Sequence, residues 1–160
     1  MSEKTLTIRY EEFSAPEEMP VRDRELIAKA LEAQKGSYSP YSHFRVGAAL
    51  RLENGVIVQG ANQENAAYPS GLCAERTALF AAGSQYPGVK MESLAIVGSD
   101  NGVVCENPAS PCGACRQVMA EYQGKQGSPL EIILVGSRCI RKFAQVEDVL
   151  PFIFDSLKIG

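Results

Sequence analysis

Two short segments constrain this chain more than anything else in it: Cys73-Ala74-Glu75 and Pro111-Cys112-Gly113-Ala114-Cys115. Each opens a stretch with helical patterning, and the 38 residues between Cys73 and Cys112 are enough for one helix and one strand. A helix–strand–helix unit can bring two helix starts together beneath one sheet edge. Cys112 and Cys115, three residues apart, face the same way from one helical turn. Helix N-termini also favour thiolates, because N–H groups without intrahelical partners and the macrodipole stabilise negative charge. Three thiolates so gathered fill three of zinc's four tetrahedral positions and leave the fourth for water, the arrangement that separates catalytic from structural zinc. Glu75, two residues from a ligand, must lie near the metal and is aimed past it toward that open position. A carboxylate there can take a proton from an acidified water and deliver it elsewhere.

Blander readings of the same residues exist. A structural zinc site takes four protein ligands. His43, the single histidine, is the one candidate for the fourth, and it sits in a strand-start motif where a hydrogen-bonded structural role fits better. Cys105 and Cys139 have no partners at metal spacing and read as plain thiols. Taken alone, Glu75 and Arg76 read as helix-surface charges, Asn62 and Glu64 as strand-end polar residues, and Phe44 as core.

The rest of the chain supplies an alternating scaffold. Thr5 to Tyr10 alternates as a short strand would, and Ser14 to Pro20 reads as a linker, so residues 1–20 are expected to be an extension of a domain spanning 21–160. Arg22 to Lys35 is helical in pattern, pairing Leu26 with Ala30 and Ile27 with Leu31, and Gly36 ends it. Phe44 to Leu52 alternates as a strand with one apolar face, Asn54-Gly55 turns the chain, and Val56 to Ala61 returns. Helices are expected at Ala74 to Ala82, closed by Gly83, and at Ala114 to Tyr122, closed by Gly124. Buried strands are expected at Leu94 to Val97 and Glu131 to Val135, with a helical piece at Val146 to Leu150 stopped by Pro151. Helices alternating with strands after a hairpin predict a three-layer α/β/α domain around a mixed sheet.

Composition narrows the function. At 160 residues, 45% hydrophobic and 22% charged, the chain has the makings of one globular domain. A net charge of −3 argues against a nucleic-acid binder held by broad phosphate neutralisation. No apolar run reaches the roughly 18 residues of a membrane span. The N-terminus, MSEKTLTIRYEEF, lacks the apolar core of a secretory signal, so a cytoplasmic location is expected. Five cysteines, an odd number, suit metal ligation in a reducing compartment better than a disulfide framework.

Four motifs in order then carry a resemblance: Ser39-Pro40-Tyr41-Ser42-His43-Phe44-Arg45-Val46-Gly47-Ala48-Ala49-Leu50, Asn62-Gln63-Glu64-Asn65-Ala66-Ala67-Tyr68, Cys73-Ala74-Glu75-Arg76-Thr77-Ala78, and Pro111-Cys112-Gly113-Ala114-Cys115-Arg116-Gln117. From about Gly36 to Arg116, with a weaker tail to Phe154, the chain resembles the small homotetrameric, three-cysteine cytidine deaminases. It matches the general signature of zinc nucleobase deaminases, in which a glutamate beside the metal is not a ligand. The resemblance implies a cytidine deaminase-like fold, one Zn2+ per chain on Cys73, Cys112 and Cys115, and hydrolytic deamination of cytidine and deoxycytidine in pyrimidine salvage. It makes Glu75 the catalytic proton carrier. Asn62 and Glu64 would hold the sugar 3′-hydroxyl, Phe44 would pack on the pyrimidine, and the Ala74 N–H with Glu75 would read O2 and N3. Arg76 would donate to the ligand thiolates, offsetting their excess charge. Ala66 and Tyr68 would reach a neighbouring subunit's site, and Phe154, or Phe152, would cap the base from another subunit. The implied partners are a free nucleoside and further copies of this chain, with no nucleic acid and no membrane. The extension 1–20 and Gln63, where an aliphatic residue is usual, depart from the family pattern. Two other functions compete: the same chemistry on another substrate, such as a nucleoside antibiotic or a base in RNA, and a zinc module without turnover.

Overall fold

The computed structural model describes residues 1–155. Ten elements follow in order: β1 (Glu11–Phe13), α1 (Val21–Ala33), β2 (Phe44–Leu52), β3 (Ile57–Ala61), α2 (Ala74–Gln85), β4 (Met91–Asp100), β5 (Val103–Val104), α3 (Gly113–Gln126), β6 (Glu131–Val135) and β7 (Ile140–Phe143). They build a seven-stranded sheet ordered β1-β7-β6-β4-β2-β3, with β5 on β4. The expected hairpin joins β2 to β3, with Gly55 at φ 85 in its turn. Strands β4 and β6 run parallel and the other pairs antiparallel. A parallel pair needs a crossover, and α3 supplies it.

Both sheet faces are covered, which makes the three layers. Helices α2 and α3 bury Ala78, Leu79 and Met119 against Leu50, Ile96 and Leu134. Helix α1 buries Leu26, Ile27 and Ala30 against Ala49, Val97 and Ile133 on the opposite face. Strand β2 therefore has two buried faces, where the sequence pattern predicts one. Its small residues conceal the second: a side chain at Gly47 would run into the Ala30 carbonyl of α1. Leu31, expected on the buried stripe of α1, is exposed.

Several boundaries differ from expectation for physical reasons. The predicted strand at Thr5–Tyr10 lies instead at Glu11–Phe13, where it pairs with β7. Met19, in the predicted linker, is buried against α1 and its sheet face. Helix α2 continues through Gly83 to Gln85, and Gly83 leaves room for the Tyr122 hydroxyl of α3 rather than ending the helix. Helix α3 likewise passes Gly124 and closes at Gly127, which takes the left-handed conformation at φ 69. The helical piece expected at Val146–Leu150 is one 3-10 turn over Val146–Asp148. Strand β7 was not foreseen, because two of its four residues are charged; Arg141 and Lys142 find partners in Glu12, Asp23 and Glu131.

Candidate active site

The topology brings the starts of α2 and α3 side by side. Cys73 stands immediately before α2, Cys112 immediately before α3, and Cys115 in the first turn of α3. The Cys112 and Cys115 sulfurs are 3.5 Å apart, those of Cys73 and Cys112 4.0 Å apart, and all three lie within 4.8 Å of one another. Thiolates around a tetrahedral zinc at about 2.3 Å sit roughly 3.8 Å apart, so the donor set fits that ion in number, type and spacing. Among the described residues this is the one group of three or more Cys, His, Asp or Glu ligands close enough to hold a metal. His43 is not part of it: the residue is exposed, with its backbone in the left-handed region at φ 57.

The electrostatics favour anionic sulfur at Cys73. Arg76 Nη2 donates to Cys73 Sγ at 3.4 Å. A hydrogen bond from Cys115, together with the Arg76 guanidinium, holds the Cys73 thiol down to about 5 despite its partial burial. Cys115, the donor in that pair, is pushed up by the same bond and by burial. Contact with the Cys73 sulfur also pushes the Arg76 guanidinium above its usual range. Glu75 is 5% exposed, and burial first, then the charge of Cys73, pushes its carboxyl up. A carboxyl so placed is suited to hold a proton and to give it away.

A cleft of about 450 Å³ opens onto these groups. Cys73, Cys112, Glu75 and Arg76 line it together with Phe44, Asn62 and Glu64. Asn62 straps the end of β3 to the start of β2: its Oδ1 accepts from the Val46 N–H at 2.8 Å and the Ser37 hydroxyl at 2.5 Å, while Nδ2 donates to the Phe44 carbonyl at 2.9 Å. The Glu64 carboxylate accepts from the N–H and hydroxyl of Ser42. Phe44 pairs with Asp100 across the sheet, and its ring lies against Gly98, the partner of Val46, where the absence of a side chain leaves room for it. A Cβ at Gly98 would lie 2.8 Å from the Phe44 ring and 3.0 Å from Ala109.

The chain is also similar to known proteins. The family model for the cytidine and deoxycytidylate deaminase zinc-binding region matches residues 20–127. The chain is 49% identical over 102 residues to a cytidine deaminase of Halalkalibacterium halodurans, covering 62% of this chain and 71% of that one. It is 51% identical over 98 residues to a cytidine deaminase of Sporosarcina psychrophila, covering 61% and 67%. The crystal structure of cytidine deaminase from Burkholderia pseudomallei superposes with a TM-score of 0.71 at 40% identity, covering 85% of this chain and all of that one. That from Mycobacterium tuberculosis gives 0.67 at 36% identity, covering 86% and all of that chain.

The chain belongs to the cytidine and deoxycytidylate deaminase family.

In this deaminase the remaining expected residues fall into two sets. Ala74 is buried in the first turn of α2, where the leading N–H groups have no intrahelical partner. Tyr68 stands at the cleft rim, 78% exposed. Ala66, Phe152 and Phe154 do not line the cleft; both phenylalanines are exposed, and the Phe154 carbonyl accepts from Gln117 Nε2 at 2.6 Å. Sequence reasoning missed Ser42, Gly98, Ala109 and Ser110 at the site. Gly98 alone carried a usable signal, since a glycine inside an apolar strand marks close approach.

Proposed function

We propose that this chain catalyses zinc-dependent hydrolytic deamination of cytidine and deoxycytidine, giving uridine or deoxyuridine and ammonia. The observation that carries the reading is the meeting of three cysteine sulfurs, two of them lining the cleft, with a buried Glu75 that lines the same cleft. Cys73, Cys112 and Cys115 would hold the metal. Bound zinc supplies a water acidic enough to be deprotonated near neutral pH. Glu75 would take that proton and pass it to ring N3; once the water oxygen has added to C4, Glu75 would take the second proton from that oxygen and give it to the amine, which leaves as ammonia. Burial pushes the Glu75 carboxyl above its ordinary range, which suits a group that both takes and gives protons. The Ala74 N–H reads O2, and Phe44 packs on the ring. Asn62 and Glu64 offer an amide and a carboxylate to the sugar 3′-hydroxyl, a pairing suited to a group that both donates and accepts. Arg76 steadies Cys73 and offsets the charge of three thiolates. A zinc module without turnover has no use for a buried carboxyl beside the metal.

The assembly is part of the proposal. Tyr68, which lines the cleft, is exposed, as are Phe152 and Phe154 in the C-terminal stretch. A dry site needs further walls, which neighbouring chains of a homotetramer would supply through Ala66, Tyr68 and Phe154, repeated by closed symmetry. The domain is taken as 21–160, with 1–20 an extension that adds β1 and Met19 to it. No described helix is long and apolar enough to cross a membrane, and a cytoplasmic salvage role suits a free nucleoside substrate. The test is loss of cytidine absorbance, with cytosine as the comparison substrate and zinc removed by chelation, then restored. Zinc-dependent turnover of cytidine and deoxycytidine, with cytosine poor, supports the reading; equal rates on cytosine and cytidine, or rates indifferent to zinc, overturn it.

A further inference from the structure

The turn Pro40–His43 carries a polar arrangement that the proposed chemistry does not use. Ser42 contacts Glu64 twice: its N–H lies 3.2 and 3.3 Å from the two carboxylate oxygens, and its hydroxyl donates to Oε1 at 2.8 Å. The same hydroxyl accepts the Phe44 N–H at 3.0 Å. A hydroxyl has one hydrogen. Because the Phe44 N–H occupies an acceptor site on Oγ, that hydrogen is left to point at Glu64. The geometry depends on the residue between, His43, whose backbone is left-handed at φ 57. The turn is pinned on both sides, by His43 N–H to the Ser39 carbonyl at 3.1 Å and by Asn101 N–H to the His43 carbonyl at 3.2 Å. A strained, pinned turn that delivers one hydroxyl to one carboxylate is an unusual expense for an exposed loop.

We infer that Ser42 is a positioning residue for sugar recognition: it holds the Glu64 carboxylate in register with Phe44, linking the sugar end of the cleft to the ring end. This rests on the proposed nucleoside chemistry. Glu64 keeps further lone pairs free for a substrate hydroxyl, since a carboxylate accepts at about four sites. Ser42 therefore orients it without blocking it. Removing the hydroxyl leaves a backbone N–H as the remaining Ser42 contact, and the carboxylate can swing.

The experiment measures kcat and KM of Ser42→Ala and Ser42→Thr on cytidine and on 3′-deoxycytidine, beside the parent. For Ser42→Ala, kcat/KM on cytidine should fall about tenfold, the low end for losing one hydrogen bond to a charged group, with the loss carried by KM. The loss on 3′-deoxycytidine should be much smaller, because that substrate lacks the hydroxyl Glu64 reads. Ser42→Thr should recover most of the difference. A Ser42→Ala/Glu64→Gln double variant should be no worse than Glu64→Gln alone. An unchanged KM, an equal loss on both substrates, or failure of threonine to rescue in a folded protein overturns the inference. If the parent does not turn over cytidine, the functional reading fails first and this inference falls with it; an active parent with an indifferent Ser42→Ala sinks this inference alone.

Discussion

Gly60→Ala probes the joint between scaffold and chemistry. Gly60, in β3, lies under the first turn of α2. A Cβ placed there would sit 2.5 Å from the Ala74 carbonyl oxygen, 2.6 Å from the Ala78 nitrogen and 3.0 Å from the Ala78 Cβ. Two of these are backbone atoms, which cannot rotate away. Comfortable contact starts near 3.5 Å, so the first turn of α2 must move by roughly 1 Å. Over-packing of that size costs about 1–3 kcal/mol of stability, which a folded domain can survive. The displaced turn also carries Glu75 and follows directly on Cys73, and a misplacement of about 1 Å can cost on the order of 10²-fold in rate. The assay is initial rate of cytidine loss, read beside zinc content and thermal melting. The prediction is a rate down about 10²-fold in a protein that still melts cooperatively. Gly124→Ala is the control: nothing lies within 4 Å of a Cβ there, and alanine favours the α3 interior by about 1 kcal/mol, so melting should rise and rate should hold. A Gly60→Ala protein with the parent's rate and melting temperature would refute the claim that this close approach sets the position of Glu75.

Cys112→Ala should lose its zinc by metal analysis while His43→Ala keeps it; equal loss in both would defeat the three-thiolate site. Asp23, 1% exposed, pairs with Lys142 at 2.8 Å, so Lys142→Met should cost about 3 kcal/mol by leaving a buried carboxylate alone, and no change in denaturant midpoint would contradict it. Burial lowers the Lys142 pKa, but the hydrogen bonds it donates to Asp23 and Glu131 outweigh it and raise the group above its ordinary value. Its contribution is therefore complete below the ordinary lysine value and lost as pH climbs through the raised one, so parent and Lys142→Met stabilities should converge at strongly alkaline pH. Stabilities that stay parallel there would rule this out.

The sequence showed the chemistry more clearly than it showed the scaffold. Cys73, Glu75, Cys112 and Cys115 were legible because metal ligation demands fixed residue types at fixed spacing, and the structure gathers the three sulfurs as that spacing implies. The layers were legible from alternation, but glycines misled. Gly83 and Gly124 read as helix ends because composition cannot tell a cap from a close approach; the Tyr122 contact and the left-handed Gly127 decide it. Strand β7 was hidden because Arg141 and Lys142 look solvated until Glu12 and Asp23, more than 100 residues earlier, are seen to pair with them. Ser42 was invisible as a Glu64 partner for the same reason: the contact spans 22 residues and has no periodic signature.

The most direct test of the account is Glu75→Gln, measured for zinc per chain and cytidine turnover in the same preparation. The substitution keeps the size of the side chain and removes its ability to carry a proton. The expected result is about one zinc per chain, as in the parent, with turnover reduced by at least the roughly 10²–10⁴-fold typical of a general acid–base group. Near-parent turnover with zinc bound would contradict it.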